Sequence, residues 1–194
     1  MVKNGKPVAA LFGGSFDPPH LGHQHIVEEA LKHLDIDLLL VVPAYLNPFK
    51  TSSLADAKER LEWCHILFDG IPNVIVDDYE IKEGKSTTTS QSINHFSIQY
   101  DVKYIIIGSD NLSTLTKWHN FNELNRKVTW AIATRPGHHI DTSMLREWTI
   151  LEMEKPVSST HIRDKMALQY VDNKIRKSVK ETLKGNKNDN RPEN

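Results

Sequence analysis

Six short apolar runs constrain the fold more than any other feature of this sequence. Each run is continuously apolar instead of alternating with polar residues, which is typical of strands buried on both faces of a parallel sheet. The runs are "VAALF" (8–12), "LLLVVP" (38–43), "VIV" (74–76), "YIIIG" (104–108), "VTWAIA" (128–133) and "TILEM" (149–153). Helical patterns separate them, notably in 21–34, 54–69 and 88–100. This alternation predicts an α/β fold with a doubly wound parallel sheet, in which ligands bind beyond the carboxyl ends of the strands.

Length and charge bound the organisation of the chain. It has 194 residues, of which 39% are apolar, and this is enough for one domain with a buried core. We expect that domain to span residues 1–184, with its C-terminal helices from about 160. The last residues, "GNKNDNRPEN" (185–194), have no apolar content and predict a disordered tail. The formal net charge of −1 argues against a broad surface for nucleic acid.

Cysteine usage and hydropathy bear on the cellular compartment. Cys64 is the one cysteine of the chain, which excludes an intramolecular disulfide and favours a reducing compartment. No signal-peptide pattern opens the sequence, and no apolar run approaches the ~20 residues of a membrane span. The sequence therefore predicts a cytoplasmic protein that binds neither membrane nor nucleic acid, and it leaves open whether the chain forms a homo-oligomer.

The segment after the first apolar run brings several anion-binding groups together. The glycines at 13–14 lack side chains where the chain leaves the strand, so a phosphate can approach main-chain N–H groups, and Ser15 adds a hydroxyl. A helix predicted to begin near Leu21 adds free N–H groups and the positive end of its dipole. His20 and His23 are three residues apart, so they face one side of its first turn and can donate to phosphate oxygens.

Two other interpretations of local motifs are disfavoured. Zinc binding by the histidines at 20, 23 and 25 would need three side chains converging on one point, and His25 points elsewhere on a helix. "GKST" (84–87) resembles the end of a P-loop, but Tyr79 stands where the first glycine should be and no strong strand leads into it.

"SSTHIR" (158–163) is a second candidate for anion binding. A Ser or Thr can cap a helix that begins there, and Arg163 lies one turn inside it. The guanidinium of Arg163 suits a phosphate because its fork makes two parallel hydrogen bonds. For such a hexapeptide alone, a capped helix with a solvated arginine is the commoner interpretation. Two helix starts suited to anions in one α/β chain favour a binding function.

Together, "GGSFDPPHLGH" (13–23) and "SSTHIR" resemble the HxGH nucleotidyltransferase superfamily, whose members transfer a nucleotidyl group from a nucleoside triphosphate and release pyrophosphate. Within it the chain is similar to the bacterial nicotinate-nucleotide adenylyltransferases over roughly residues 8–184. Further matches are "NPFK" (47–50), "GSD" (108–110), "KWHNFNEL" (117–124) and "RPG" (135–137). The resemblance implies a Rossmann-like sheet of the nucleotidyltransferase type. It also implies transfer of AMP from ATP to nicotinate mononucleotide with Mg²⁺, a step in NAD biosynthesis.

The same resemblance implies roles for residues at matching positions. It gives His20, His23 and Arg163 a catalytic role on the transferring and leaving phosphates. The implied ATP-binding positions are Gly13, Gly14, Ser15, Phe16, Gly108, Asp110, Ser159 and Thr160. The implied acceptor positions are Lys50, Thr88, Trp118 and Arg135, with Trp118 stacking on the pyridine ring. No residue is expected to ligate metal, because the first loop offers no carboxylate cluster and Mg²⁺ can be held by phosphate oxygens and water.

Departures from the family pattern leave alternatives open. Ala44 stands where relatives often have Asn, and Thr87 where they often have Tyr, so the acceptor contacts can differ. The competing functions are an adenylyltransferase for nicotinamide mononucleotide or phosphopantetheine, and a non-catalytic nucleotide sensor. A helix that begins near Thr88 would present N–H groups to a carboxylate, so the sequence favours nicotinate over nicotinamide.

Overall fold

The computed structural model describes residues 5–135, 137, 139–153 and 157–189, with side chains described as far as 185. All six apolar runs form strands, as predicted. The strands are β1 (Val8–Gly14), β2 (Leu38–Pro43), β3 (Val74–Val76), β4 (Asp101–Gly108), β5 (Thr129–Ala133) and β6 (Trp148–Leu151). The helices are α1 (Leu21–His33), α2 (Ala57–Phe68), α3 (Tyr79–Lys82), α4 (Thr89–Phe96), α5 (Phe121–Lys127), α6 (Ser159–Lys165) and α7 (Asn173–Asp189). Two 3₁₀ helices span Ser109–Lys117 and Leu168–Tyr170.

The strands form one parallel sheet in the order β3-β2-β1-β4-β5-β6. β1 pairs with β2 on one side and with β4 on the other, so the order of the chain across the sheet reverses at β1. In doubly wound sheets the crevice at this switch point holds the ligand. The predicted α/β fold with a Rossmann-like, doubly wound parallel sheet is confirmed.

Two apolar cores cover the two faces of the sheet. Successive side chains of β1 alternate between them, because Ala10 and Phe12 lie in one core and Ala9 and Leu11 in the other. Side chains of α1, α2 and α7 complete the first core, and those of α4 and α5 complete the second. A strand covered on both faces needs apolar side chains at every position, which explains the continuous apolar runs.

β1 is longer than its apolar run predicts. The strand continues through Gly13 and Gly14, which pair in register with the end of β2, and Ala44 N–H donates to the carbonyl of Gly14 (2.8 Å). The backbone leaves the sheet only beyond these glycines, and Phe16 adopts a left-handed conformation with φ of 46°. The expectation that the chain leaves the strand at the glycines is therefore wrong, because β2 supplies partners for both.

The C-terminal helix α7 packs on α2 through polar as well as apolar contacts. Trp63 Nε1 donates to Ser178 Oγ (3.0 Å), and Thr182 Oγ1 donates to Glu59 Oε1 (2.6 Å). The helix runs to Asp189, past the domain boundary predicted at 184, while the rest of the predicted tail, 190–194, lies outside the described residues. Over the ranges that the structure describes, no helix is long and apolar enough to cross a membrane.

Candidate active site

A buried aspartate holds the turn that follows β1. Asp17 is 3% exposed, and its carboxylate accepts hydrogen bonds from the N–H groups of Leu54 (2.9 Å) and Ala55 (3.0 Å). Its main-chain carbonyl accepts a hydrogen bond from the guanidinium of Arg163. Asp17 thus connects the β1 loop with the segment before α2 and with α6. These contacts give it a bracing role in the loop that precedes α1.

Arg60 of α2 also holds the loops together, and no sequence motif marks it. Its side chain is 1% exposed and donates to the carbonyls of Ser15 (2.6 Å), Ala44 (2.7 Å) and Tyr45 (2.7 Å). A buried guanidinium is costly without partners, and the carbonyl oxygens satisfy it here. Because these carbonyls belong to the loops after β1 and β2, Arg60 fixes one loop against the other at the edge of the site.

His20 and His23 lie face to face at the start of α1. Their ring centroids are 3.7 Å apart and their planes are tilted by 24°. The main-chain N–H of His20 donates to Nδ1 of His23 (3.2 Å). Since Nδ1 accepts this bond, a neutral His23 carries its proton on Nε2 and donates to a ligand through that atom.

Burial favours the neutral form of both imidazoles. Burial, helped by the positive charge of Arg135, lowers the pKa of His20 to about 3. Burial also lowers the pKa of His23 well below its usual value, and the neighbouring His20 and Arg135 add to the effect. An anion beside the pair would oppose these shifts, because it favours the protonated imidazole. A negatively charged ligand would therefore bring the pKa of both rings back towards the usual value of histidine.

Gly22 makes room for the ring of His20. A Cβ at position 22 would lie 3.0 Å from Nδ1 of His20 and 3.5 Å from Cβ of Val157. The first distance is shorter than the ~3.5–4.0 Å at which non-bonded heavy atoms pack. The glycine between the two motif histidines therefore allows the ring of His20 to lie against the first turn of α1.

The start of α6 brings the second predicted motif against the first. Ser158 caps the helix, and Ser159 Oγ donates to the carbonyl of Pro18 in the β1 loop (2.9 Å). Arg163 Nη1 lies 3.8 Å from the carboxylate of Asp17, and the side chain of Arg163 is 21% exposed. Arg163 is therefore held against the β1 loop, which contradicts the simpler interpretation of a capped helix with a solvated arginine.

A charged pair occupies the turn after β4. Asp110 Oδ1 lies 3.3 Å from Nε of Arg135, and the main-chain N–H of Arg135 donates to Ser109 Oγ (2.9 Å). A Cβ on Gly108 would collide with the carboxylate of Asp110 and approach Nε of Arg135 to 3.0 Å. Gly108 thus permits the close approach of these two side chains at the carboxyl end of β4.

Lys50 reaches the same space from the loop after β2. Its ammonium group donates to Ser15 Oγ (3.2 Å). Burial and the nearby positive charge of Arg163 lower the pKa of Lys50, with Asp17 opposing them. Lys50, from the loop after β2, and Arg163, from α6, therefore both approach the β1 loop. An anion bound between them would reduce the repulsion between their positive charges.

The start of α4 forms the other end of the site. Thr88 is the N-cap of α4, which confirms the helix start predicted near this residue. Ser90 Oγ lies 3.1 Å from Nδ1 of His119, so α4 is tied to the loop that carries Trp118. Trp118 packs edge-on against Trp130, with ring centroids 6.1 Å apart. Thr88 and Trp118 line one cavity.

Glu80 of α3 is a second residue of the site that no sequence motif marks. Its carboxyl group is buried, with the residue 7% exposed, and it accepts a hydrogen bond from Ser92 Oγ (2.6 Å). Burial raises the pKa of Glu80 to about 7, and the bond from Ser92 partly opposes that rise. The short helix α3 has no periodic pattern that could have marked this residue in the sequence.

One cavity of about 510 Å³ connects these groups, a volume in the range of small-molecule sites. Its wall includes every predicted site residue except His20, which stacks on His23 and lines a smaller cavity beside Arg135. The predicted residues in the wall are Gly13, Gly14, Ser15, Phe16, His23, Lys50, Thr88, Gly108, Asp110, Trp118, Arg135, Ser159, Thr160 and Arg163. Their convergence is a feature of the fold, and their individual roles stay predictions.

The site offers few ligands for a metal ion. Among the described residues, no three or more His, Cys, Asp or Glu side chains come together as a metal-binding group. His25 lies 3.7 Å from Glu28 on the same helix and is partly exposed. Asp17 and Asp110 are engaged by N–H groups and by Arg135. Mg²⁺ usually keeps several water ligands and is held by substrate phosphates with one or two carboxylates. The residues present therefore fit a Mg²⁺ ion that is bound mainly by phosphate oxygens and water.

Comparison with known proteins places the chain among nucleotidyltransferases. A cytidylyltransferase-like family model matches residues 11–165. The chain is 62% identical to a probable nicotinate-nucleotide adenylyltransferase of Sulfurovum sp. (strain NBC37-1), over 96% of this chain and 100% of the relative. It is 38% identical to a probable nicotinate-nucleotide adenylyltransferase of Aliarcobacter butzleri (strain RM4018), over 92% of this chain and 98% of the relative.

A solved structure supports the fold independently. The Plasmodium falciparum nicotinic acid mononucleotide adenylyltransferase complexed with NaAD superposes with a TM-score of 0.75. The superposition covers 96% of this chain and 99% of that one. Sequence identity is 19%, so this likeness concerns the fold alone.

Proposed function

The chain belongs to the nicotinate-nucleotide adenylyltransferase family, and we propose that its cavity transfers AMP from ATP to nicotinate mononucleotide, with pyrophosphate leaving. One observation carries the assignment of this reaction to the site. Lys50, Arg135 and Arg163 line the same cavity as His23, and that cavity also includes Trp118 and Thr88, the N-cap of α4. Cations at one end suit a triphosphate, and an aromatic ring beside a helix start at the other suits a pyridine carboxylate.

The triphosphate binds between the β1 loop and α6. His23 donates through Nε2, and Arg163 contributes a guanidinium already held beside the loop. His20 stacks on His23 and positions its ring. A bound anion raises the pKa of His20, so His20 is then more easily protonated. Asp17 and Arg60 keep the loop and the cations in register before the substrate binds, so less of the binding energy is needed to order the site.

The reaction needs no general base. A phosphate oxygen of the mononucleotide attacks the α-phosphorus of ATP, a new P–O bond forms, and the bond from the α-phosphorus to the bridging oxygen of pyrophosphate breaks. A phosphate monoester with a second pKa of about 6 is already ionised near neutral pH, so no proton has to leave the nucleophile. The protein contributes positioning and stabilisation of charge on the transferring and leaving groups. Bound Mg²⁺, held by phosphate oxygens and water, would neutralise part of that charge.

The acceptor binds with its pyridine ring next to Trp118 and its carboxylate at the first turn of α4. Thr88 caps that helix, and the positive end of the helix dipole favours a negative charge over a neutral amide there. This arrangement supports nicotinate mononucleotide as the preferred acceptor. Thr87, which replaces the more usual Tyr, is buried and lines the same cavity.

Pyrophosphate release from ATP tests the proposal with a panel of acceptors. The panel contains nicotinate mononucleotide, nicotinamide mononucleotide, phosphopantetheine and no acceptor. We expect the largest kcat/KM with nicotinate mononucleotide. A larger value with the amide would refute the role of the α4 start, a larger value with phosphopantetheine would refute the pyridine subsite, and no release with any acceptor would favour a nucleotide sensor.

A further inference from the structure

The region between α3 and α4 contains a buried carboxyl group that the proposed reaction does not use. Glu80 is 7% exposed and lines the same cavity as Thr88 and Trp118. Its one hydrogen-bonding side chain among the described contacts is Ser92, whose Oγ lies 2.6 Å from Oε1. A carboxyl group with so few partners is unusual in a protein interior, where ionised groups are normally paired.

Contacts connect Glu80 to the two groups that would hold the acceptor's pyridine. Ser92, its partner, lies on the first turns of α4 and its Oγ is 3.4 Å from the carbonyl of Thr88. On the same helix Ser90 contacts His119, the neighbour of Trp118. The carboxyl group, the start of α4 and the indole ring thus belong to one end of the cavity.

We propose that Glu80 determines acceptor specificity because nicotinate mononucleotide binds only when the carboxyl group of Glu80 is protonated. The protein therefore takes up a proton as this acceptor binds. This proposal rests on the proposed function, which places the acceptor's carboxylate at the start of α4. Two ionised carboxylates sharing a buried site repel each other strongly. When Glu80 holds a proton, that repulsion disappears and the acid can donate a hydrogen bond.

The proton belongs on Glu80 because its own surroundings already favour the neutral acid. Burial raises its pKa to about 7, whereas the acceptor's carboxylate is attached to a positively charged ring and stays ionised. Nicotinamide mononucleotide has no charge at this position, so its binding does not require a neutral Glu80. The two acceptors have the same ribose and phosphate, so a difference in their affinities is due to the substituent on the pyridine ring.

Other titratable groups near Glu80 do not replace it in this role. Burial and Ser92 are the two influences on its pKa. β2, which packs on α3, contributes no titratable side chain. Titratable groups on α3 and its C-cap are Tyr79, Lys82 and Glu83, and α4 contributes His95. Those on α2 are Lys58, Glu59, Arg60, Glu62, Cys64 and His65. The cavity wall adds His23, Lys50, Asp110, Lys117, His119, Arg135 and Arg163. Of these, Lys50 contacts Ser15, His119 contacts Ser90 and Arg135 pairs with Asp110.

Calorimetric titration of the full chain tests the proposal. Nicotinate mononucleotide is titrated at pH 8 with a non-hydrolysable ATP analogue present, in two buffers of different ionisation enthalpy. With a pKa of about 7, Glu80 is mostly ionised in the free protein, so we expect uptake of roughly 0.9 proton beyond that of the Glu80→Gln variant. We also expect the wild-type affinity for this acceptor to fall about tenfold from pH 6 to pH 8, relative to its affinity for nicotinamide mononucleotide.

Two variants separate the specificity role from a structural one. In Glu80→Gln the pH dependence of the affinity ratio should vanish. Ser92→Ala removes the bond that stabilises the ionised form, so the fall in affinity should move to higher pH, which a purely structural role would not cause. If Glu80→Gln fails to fold, the direction of the shift in Ser92→Ala decides the matter.

The outcomes distinguish this proposal from the function on which it rests. Equal proton uptake by wild type and Glu80→Gln, or an unshifted profile in Ser92→Ala, would overturn the assignment of Glu80 alone. Absence of any binding of nicotinate mononucleotide to the wild-type protein would overturn the proposed acceptor, and the role of Glu80 with it.

Discussion

Replacing Gly22 with alanine perturbs the side chain of His20 without removing it. The new Cβ would lie 3.0 Å from Nδ1 and 3.1 Å from Cε1 of His20. Ordinary contacts between such atoms are about 3.5–4.0 Å, so the ring has to move by roughly 0.5 Å or more. A displaced His20 would also disturb the 3.7 Å stack on His23, the residue that we expect to donate to the triphosphate.

The expected effects on turnover and on stability differ in size. A misplacement of about 1 Å can cost roughly 100-fold in rate, so a shift of about half that size should lower kcat roughly 10-fold or more. Alanine is favoured over glycine in a helix by up to about 1 kcal/mol, which offsets a contact strain of about 1–3 kcal/mol. The free energy of unfolding should therefore change by no more than about 2 kcal/mol.

Steady-state pyrophosphate release and urea unfolding measure the two effects. Gly70→Ala is the matched control, because a Cβ at Gly70 meets nothing within 4 Å and the site lies elsewhere. We expect the control to keep both its turnover and its stability. If Gly22→Ala turns over within about twofold of the control, the packing of His20 against α1 has no bearing on catalysis and this reasoning is refuted.

Three further predictions test other parts of the site. In Asp17→Asn the amide oxygen can accept only one of the two N–H bonds, so the free energy of unfolding should fall by about 1–3 kcal/mol in urea titrations, and an unchanged value would contradict the bracing role. Burial lowers the pKa of His20, so the unfolded chain binds a proton more readily below pH 6.5 and the free energy of unfolding declines as the pH falls towards 3. From pH 6.5 to 5 this decline should be roughly 2 kcal/mol in the wild-type protein and smaller in His20→Asn. Parallel pH profiles of stability for the two proteins would contradict the burial of a neutral His20. Trp118→Ala should raise KM for the acceptor roughly tenfold and leave KM for ATP unchanged, while Trp118→Phe, which still stacks, should stay near wild type.

The strands were predictable from sequence because both faces of this sheet are covered. Continuous apolar runs mark such strands, and the run at 104–108 lies within β4. The ends of strands were less predictable, because they depend on partners far along the chain. Gly13 and Gly14 look like a turn locally, yet β2 extends the ladder through both.

The site was predictable where residue type and spacing are fixed by a short motif. His20, His23 and Arg163 lie in two such motifs, and the fold brings those motifs together across the β1 loop. Arg60 could not be found this way, because its partners are carbonyls of loops that the sequence does not mark. Glu80 was missed for a related reason, since a carboxyl group in a four-residue helix looks solvated until the cavity around it is known.

Protonation states were also beyond the sequence. The spacing of the two histidines suggests groups that bind phosphate, but their pKa values depend on burial and on Arg135, which lies more than a hundred positions away. Burial favours the neutral form of both rings, and the bond accepted by Nδ1 places the proton of a neutral His23 on Nε2. This detail decides which atom can donate to a phosphate.

Single-turnover kinetics of two His23 variants test the central claim most directly. Asparagine can place an acceptor near Nδ1 and keep the bond from the His20 N–H, but it lacks the Nε2 donor. We predict that His23→Asn folds with near-native stability and forms nicotinate adenine dinucleotide at least 100-fold more slowly, with little change in KM for either substrate. His23→Gln, which can place an amide N–H near Nε2, should recover part of the rate. Near-normal product formation by purified His23→Asn would contradict the claim that this cavity transfers AMP by stabilising charge through His23.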